Sequence, residues 1–280
     1  MYTFESKIKE TVPVMVKIHE SSQPKVSVLI PVHRNDINFE KALESVNFSC
    51  YANFDILVLD NTDIGINIDF LKQFDRVKYF RLQPFIGPSE SLNVGIRESN
   101  AKYLAVMHSD DLMIQERLCV QVSYLEYNSQ VDIIGGSMEI FGSSNDPKHK
   151  IGISKSRSDA NDKIIEYMLH KNPLFHPTTM IRRDKLIHNN LYYRKKYDSA
   201  EDYDLWIRAS RKLIIKNLPD VVIKYRIHDQ QFGYEKREKL NKLVNRIQIR
   251  HALWIIFHDR HLLQKALKTF TKIFLNSFKK

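Results

Sequence analysis

Residues 102–111 read Lys102-Tyr103-Leu104-Ala105-Val106-Met107-His108-Ser109-Asp110-Asp111, an apolar run that stops on two carboxylates. Tyr103 to Met107 is short, continuous and apolar, the pattern of a fully buried strand. In an open α/β sheet, ligands bind just beyond the carboxyl ends of such strands. Asp110 and Asp111 therefore stand where a divalent ion holding a diphosphate would sit. One of them reads equally as the N-cap of a following helix, whose apolar face is Leu118, Val122 and Leu125.

The flanking segments extend the pattern. Val26–Val32 is an apolar strand that ends at His33-Arg34-Asn35-Asp36, and Asp36 is placed to cap a helix with the buried stripe Phe39, Ala42, Leu43 and Val46. Phe54–Leu59 is a second strand, ending at Asp60-Asn61-Thr62-Asp63, and Val77–Leu82 is a third. Gly87-Pro88-Ser89 opens a helix. After Tyr103–Met107 come a helix to about Tyr127 and a strand over Val131–Gly135. Strands and helices alternating at this spacing predict an α/β fold, a mostly parallel sheet flanked by helices. Beyond Gly142 the pattern loosens. Residues 143–162 are polar and read as a loop or lid. A helix near 160–170, a strand near Thr178–Arg182, a helix over about 201–211 and two β-rich pieces (213–217 and 221–227) precede a helical tail.

Composition narrows the function. A hydrophobic content of 43% over 280 residues supports a sizeable core, and only 8 glycines and 9 prolines argue against disorder. No window approaches the roughly 20 apolar residues that span a bilayer. Residues 1–24 carry mixed charge without an apolar centre, so no signal peptide is expected. Cys50 and Cys119 cannot build a disulfide framework and lack metal-ligand spacing, which fits a reducing, cytoplasmic setting. The net charge of +10 resides wholly in residues 236–280, where twelve lysines and arginines face only Glu238 and Asp259. A neutral body with a basic tail is not a globally basic nucleic-acid binder, so no nucleic-acid partner is expected.

Three strand ends carry polar groups that can line one sheet edge: Pro31–Asn35, Asp60-Asn61 and His108–Asp111. Asp60 can accept from the N3–H of a uracil whose carbonyls pair with main chain after Pro31, or it can close an Asx-turn. Ile30-Pro31-Val32-His33-Arg34 lacks the glycine fingerprint of a dinucleotide site, and no Walker-type loop is present. Gly87 through Gly95 form a glycine-bearing helix entry offering N–H groups to a sugar or phosphate, unless it is an ordinary capped helix with Asn93 facing outward. Ser199-Ala200-Glu201-Asp202-Tyr203-Asp204-Leu205-Trp206 reads as a capping box, or as carboxylates held at the rim of a core where a general base would stand. His228, after Tyr225-Arg226-Ile227, is a structural histidine or a further ligand to a metal on Asp110.

These residues, in order over about 24–230, resemble the family-2 glycosyltransferases of the GT-A fold. The resemblance rests on Val-Ser-Val-Leu-Ile-Pro-Val after Pro24, Ile-Leu-Val-Leu-Asp60-Asn61 and the Gly87…Asn93-Val94-Gly95 loop. It continues through Ser109-Asp110-Asp111, Phe175-His176-Pro177-Thr178, Glu201-Asp202-Tyr-Asp-Leu-Trp and Tyr-Arg-Ile-His228. It implies a GT-A, Rossmann-like catalytic domain over 25–235, with a donor half (25–142) and an acceptor half (143–235), an N-terminal extension (1–24) and a basic helical tail (236–280). It further implies a nucleotide-sugar donor, usually a uridine diphosphate sugar, a divalent cation (Mn2+ or Mg2+), and inversion by direct displacement onto a glycan or lipid-linked glycan. By position, Asp60 would bind the base, Asp110 and His228 the metal, and Asp202, beside Glu201, would deprotonate the acceptor. Donor contacts are expected from Pro31, His33, Asn35, Asn61, Gly87, Asn93, His108 and Ser109. Two departures stand out: His108 replaces the first acid of the usual Asp-X-Asp motif, and Leu92 precedes Asn93 where an arginine is frequent.

Two other readings remain. A sugar nucleotidyltransferase would carry a glycine-rich basic loop after the first strand, where His33-Arg34-Asn35-Asp36 stands. A non-catalytic membrane- or nucleic-acid-binding module would leave Glu201-Asp202 unexplained. In the tail, Ala266, Leu267, Phe270, Ile273 and Phe274 share one helical face opposite Lys265, Lys268 and Lys272. That helix lies on an anionic membrane at the inner face, or packs on the catalytic domain or on a second subunit of a homo-oligomer.

Overall fold

Along the first strand, Val26, Val28, Ile30 and Val32 point to one side of the sheet and Leu29 to the other, and all five are buried. This alternation sets a core on each face of the sheet. The computed structural model describes residues 23–143, 151–156, 161–228 and 237–277. Its elements are β1 (Val26–Val32), α1 (Ile37–Asn47), β2 (Phe54–Asp60), α2 (Ile68–Leu71), β3 (Val77–Arg81), α3 (Pro88–Glu98), β4 (Tyr103–Val106), β5 (Leu112–Met113) and α4 (Arg117–Tyr127). They continue with β6 (Ile133–Gly142), β7 (Gly152–Ser154), α5 (Asn161–Tyr167), β8 (Met180–Arg182), α6 (Arg183–His188), α7 (Glu201–Ala209), β9 (Ile215–Ile227), α8 (Arg237–His258) and α9 (Leu263–Ser277).

One mixed sheet runs β3-β2-β1-β4-β8-β6-β9-β5, with β7 paired to β6. Its first four strands are parallel, so the carboxyl ends of β1, β2 and β4 share one edge. β8 then enters antiparallel between β4 and β6. The expected donor and acceptor halves thus share one sheet. One core packs β1 and β2 against α1 and α4; the other packs Leu29, Leu57 and Leu104 against α3 and α7.

Local chemistry accounts for the element ends. Asp36 caps α1, its Oδ1 accepting from the backbone N–H of Asn38 at 2.9 Å and Phe39 at 3.2 Å. The stripe Phe39, Ala42, Leu43 and Val46 is fully buried.

Four expectations need correction. Asp110 and Asp111 do not cap α4, because β5 intervenes and Glu116 occupies the N-cap. The two β pieces near 213–227 are one strand: Pro219 and Asp220 are absorbed where the β6–β9 register shifts between Gly135 and Met138. The polar stretch 143–162 contains β7, which pairs its backbone with Met138–Ile140 despite its polarity. Ser199 forms no capping box; Ala200 is the N-cap of α7 and makes no side-chain bond. Residues 144–150 and 157–160 of the polar stretch, and the expected N-terminal extension up to residue 22, lie outside the described residues.

Candidate active site

Because β1 and β4 are parallel neighbours, the segments after Val32 and Val106 emerge side by side. β9 ends in the same region, contributing Arg226 and, one residue past its end, His228. The Arg226 backbone N–H donates to Asp111 Oδ1 at 2.8 Å, and its guanidinium Nε donates to the Asp110 carbonyl at 2.8 Å. That clamp fixes the acidic turn. His228 Nε2 then lies 3.1 Å from Asp110 Oδ2, although the two residues are 118 positions apart. His108 Nδ1 stands 3.5 Å from Asp111 Oδ2.

The ligating atoms of His108, Asp110 and Asp111 lie within 4.8 Å of one another. Asp111 is fully buried, and its Oδ2 makes no hydrogen bond. Burial, and then the charge of Asp110, push its carboxyl well above the usual range. Two adjacent carboxylates with an orphaned oxygen and two imidazoles are a donor set that a hard or borderline divalent cation fits. Beneath them Arg117, itself buried, donates to the Val106 carbonyl at 3.0 Å and the Thr179 carbonyl at 3.1 Å, fixing the end of β4.

Asp202 stands in the first turn of α7 with Oδ1 accepting from the Tyr203 N–H at 2.7 Å and Oδ2 from Asn172 Nδ2 at 2.5 Å. Burial raises its pKa, and those two bonds and the nearby His108 oppose the rise. Glu201 is pushed up to about 8 by burial and then by the charge of Asp202, and its Oε2 is buried without a hydrogen bond. Just ahead, Ser199 holds a φ of 85°, a left-handed conformation that a non-glycine residue adopts under strain. The chain is thus held against its preference where it presents two carboxylates.

Next to these groups lies a cluster of imidazole and aromatic rings. His176 Nε2 is 2.9 Å from the Tyr193 hydroxyl, and its ring meets His108 edge-on at 5.5 Å and Trp206 at 6.1 Å. Burial drives the His176 pKa down to about 3; burial and then His176 take His108 to about 4, so both rings are neutral near pH 7. Asn93 does not face outward: its Nδ2 donates to the Tyr193 carbonyl and its Oδ1 accepts from the Tyr193 N–H, both at 2.9 Å. Both polar atoms of its amide are engaged by the Tyr193 backbone.

The remaining expected donor contacts take distinct places. His33 and Asn35 are exposed beyond β1, with Pro31 inside it, and His33 feels the charges of Asp110 and His228. Asp60 is fully buried. Its Oδ1 accepts from Thr62 N–H at 2.9 Å and meets Arg81 at 3.1 Å, while Oδ2 accepts from Ile66 N–H at 3.0 Å and the Tyr79 hydroxyl at 2.6 Å. Asp60 therefore closes the loop after β2. Its neighbour Asn61, which donates to Ser91 Oγ at 3.0 Å, keeps a buried Oδ1 without a hydrogen bond. Gly87 (φ 97°) faces Asp198: a Cβ there would stand 2.5 Å from Asp198 Oδ2, and Ser89 donates to the same carboxylate. The chain's own acid thus occupies the α3 entry. Ser109 is buried beside Asp110.

Asn172, Tyr193, Asp198 and Arg226 were not singled out as site residues by their sequence. Only Arg226 lay in a quoted motif; Asn172 falls in a stretch without a recognisable pattern.

A sheet with parallel strand ends, an acidic cluster at its edge and a helix-borne carboxylate pair near it is the build of GT-A sugar transferases. A family model described as Glycosyl transferase family 2 matches residues 27–191, and the chain belongs to that family. The chain is 26% identical over 214 residues to the O-antigen biosynthesis glycosyltransferase WbnJ of Escherichia coli, covering 73% of this chain and 80% of that one. It spans only 31% of a longer relative, an uncharacterized glycosyltransferase of Rickettsia bellii. Among solved structures, S. aureus TarS in complex with UDP-GlcNAc superposes with a TM-score of 0.69 at 19% identity, over 91% of this chain and 73% of TarS. The mannosyltransferase PcManGT from Pyrobaculum calidifontis, in complex with GDP-Man and Mn2+, gives 0.60 at 14% identity, over 92% and 76%.

Proposed function

We propose that the chain moves a sugar from a uridine diphosphate sugar to a hydroxyl of a glycan or lipid-linked glycan, inverting the anomeric centre, as in bacterial surface polysaccharide synthesis. The observation that carries this reading is the meeting of Asp110 and His228 at 3.1 Å, with a half-buried Asp202 of raised pKa near His108 at the start of α7. Asp110 and His228 would hold a divalent cation, Mn2+ or Mg2+, with His108 and Asp111 next to them. When bound, that cation offsets the charge that grows on the departing diphosphate.

The rest of the chemistry belongs to the side chains. The acceptor oxygen bonds to the anomeric carbon as the bond from that carbon to the diphosphate oxygen breaks. The hydroxyl proton passes to the Asp202 carboxylate, which Asn172 and the Tyr203 N–H orient. Glu201, pushed up to about 8, is neutral near pH 7 and sets no second charge beside Asp202. His33, Asn35 and Asn61, with the main chain after Pro31, line the nucleotide end. The UDP-GlcNAc bound to TarS and the Mn2+ bound to PcManGT support the choice of donor and ion class.

A released-diphosphate assay across uridine, guanosine and thymidine diphosphate sugars tests this reading. The expected result is chelator-sensitive release of UDP. Pyrophosphate release from a nucleoside triphosphate, without turnover of any diphosphate sugar, contradicts it.

A further inference from the structure

The tail of residues 236–280, which carries the excess positive charge of the protein, folds into α8 and α9, and one face of each helix is buried. On α8, Ile247, His251 and Ile255 are buried, and Gln248 donates to the His170 carbonyl at 2.7 Å. On α9, Ala266, Thr269 and Ile273 are buried, and Lys265 pairs with Glu166 at 2.7 Å. Of the two expectations for the tail, packing on protein describes Ala266 and Ile273, so the full apolar face of α9 does not meet a bilayer. Packing on the catalytic domain leaves other sides of the two helices open to contact with another surface.

Among the described residues, the outer side of each helix is exposed. Leu253 is 39% and Phe257 78% exposed on α8, and Leu267 is 45%, Phe274 49% and Leu275 56% exposed on α9. Two residues along a helix turn about 200°, so Leu253 and Phe257 point away from the body that buries His251 and Ile255. Lys242 and Arg246 fall on the same stripe as Leu253 and Phe257, at helical spacing. Lys268 and Lys272 are exposed along α9, and Glu238 is the one acid within either helix.

We propose that this outer face docks in the plane of an anionic lipid bilayer. Leucine and phenylalanine interleaved with lysine and arginine suit the boundary between headgroups and acyl chains. An anionic surface complements a face that is basic and all but free of acids. A second copy of this chain fits poorly, since an isologous contact would set the two basic faces against each other. No helix among the described residues is long and apolar enough to cross a membrane, so contact through this face would be in-plane. The docking itself does not depend on the proposed chemistry; only the link to a lipid-linked acceptor rests on that reading.

The test is flotation of the full-length protein with vesicles of phosphatidylcholine, alone or with about one quarter phosphatidylglycerol. We expect salt-sensitive binding to the anionic vesicles and binding weaker by on the order of tenfold to the neutral ones. The double variant Phe257→Gln, Leu267→Gln should lower anionic-vesicle binding by on the order of tenfold or more. Its melting temperature and its turnover of soluble donor should stay unchanged, since both side chains are exposed. Absence of wild-type binding, equal binding to both vesicles, or unchanged binding of the variant overturns the proposal. A wild-type dimer that the variant converts to monomer also overturns it, by assigning the face to a second copy. Vesicle binding by a protein that turns over no donor leaves the docking standing and defeats the catalytic reading instead.

Discussion

Asn93→Ala separates a scaffold role from a donor contact. The substitution removes both partners of the Tyr193 backbone, whose N–H and carbonyl each bond the Asn93 amide at 2.9 Å. Asn93 is 4% and Tyr193 3% exposed, so water cannot readily replace the amide. Leaving a buried polar group unpaired costs about 1–3 kcal/mol, and two such groups give ~2–5 kcal/mol after some relaxation. For a chain of this size that lowers the midpoint of thermal unfolding by about 5–15 °C. Asn93→Asp keeps the acceptor and loses the donor, and should fall in between. The assay is thermal or urea unfolding of each variant, paired with UDP titration of the folded protein at low temperature. UDP affinity should change by less than about threefold, because the amide faces Tyr193. Unchanged stability with lost UDP affinity would refute this reasoning and return Asn93 to the donor site.

Acid should destabilise the fold through buried neutral histidines. Burial holds His176 at about 3 and His251 at about 4, below the unfolded value of 6.5. Their stabilising contribution is therefore complete above about pH 6.5 and is lost as pH falls toward the folded values, which unfolding followed against pH will read. Glu201, raised to about 8 from 4.5, acts oppositely: its contribution is complete below 4.5 and is lost as pH rises through about 8, so Glu201→Gln should flatten the alkaline side of the same curve. Asp110→Asn should abolish Mn2+-dependent UDP binding in calorimetry, and His228→Ala should weaken it less; metal-independent UDP binding in the wild type would contradict the assignment. His108→Asp, which restores the usual acid, should keep or raise donor affinity, and its complete loss would give the histidine a role of its own.

The legible parts of the fold are those set by short-range chemistry. The apolar runs ending at Val32, Asp60 and Val106 form buried strands, as their short length and the polar residues that end them indicate. Asp36 is a cap because its carboxylate lies two and three residues from free N–H groups. The site was legible where a motif sits on one turn, as in Ser109-Asp110-Asp111 and Glu201-Asp202. The partners of those motifs were not. Asn172 reaches Asp202 across 30 residues, Asn93 reaches Tyr193 across 100, and Ser89 reaches Asp198 across 109, and no local spacing encodes such meetings. Asp60 shows the converse. Its strand-end position suits a base contact, yet Tyr79 and Arg81, brought alongside by the β2–β3 pairing, claim its carboxylate.

Released UDP measured for the wild type and Asp202→Asn, at saturating uridine diphosphate sugar and Mn2+, tests the central claim most directly. Exchanging the carboxylate for an amide keeps the size of the side chain but removes its capacity to take the acceptor proton. Turnover should fall by roughly 100-fold or more, while UDP affinity and the unfolding midpoint stay near wild type. Near-normal turnover in that variant would contradict the account, leaving Asp202 a residue of the α7 helix start and placing the base elsewhere.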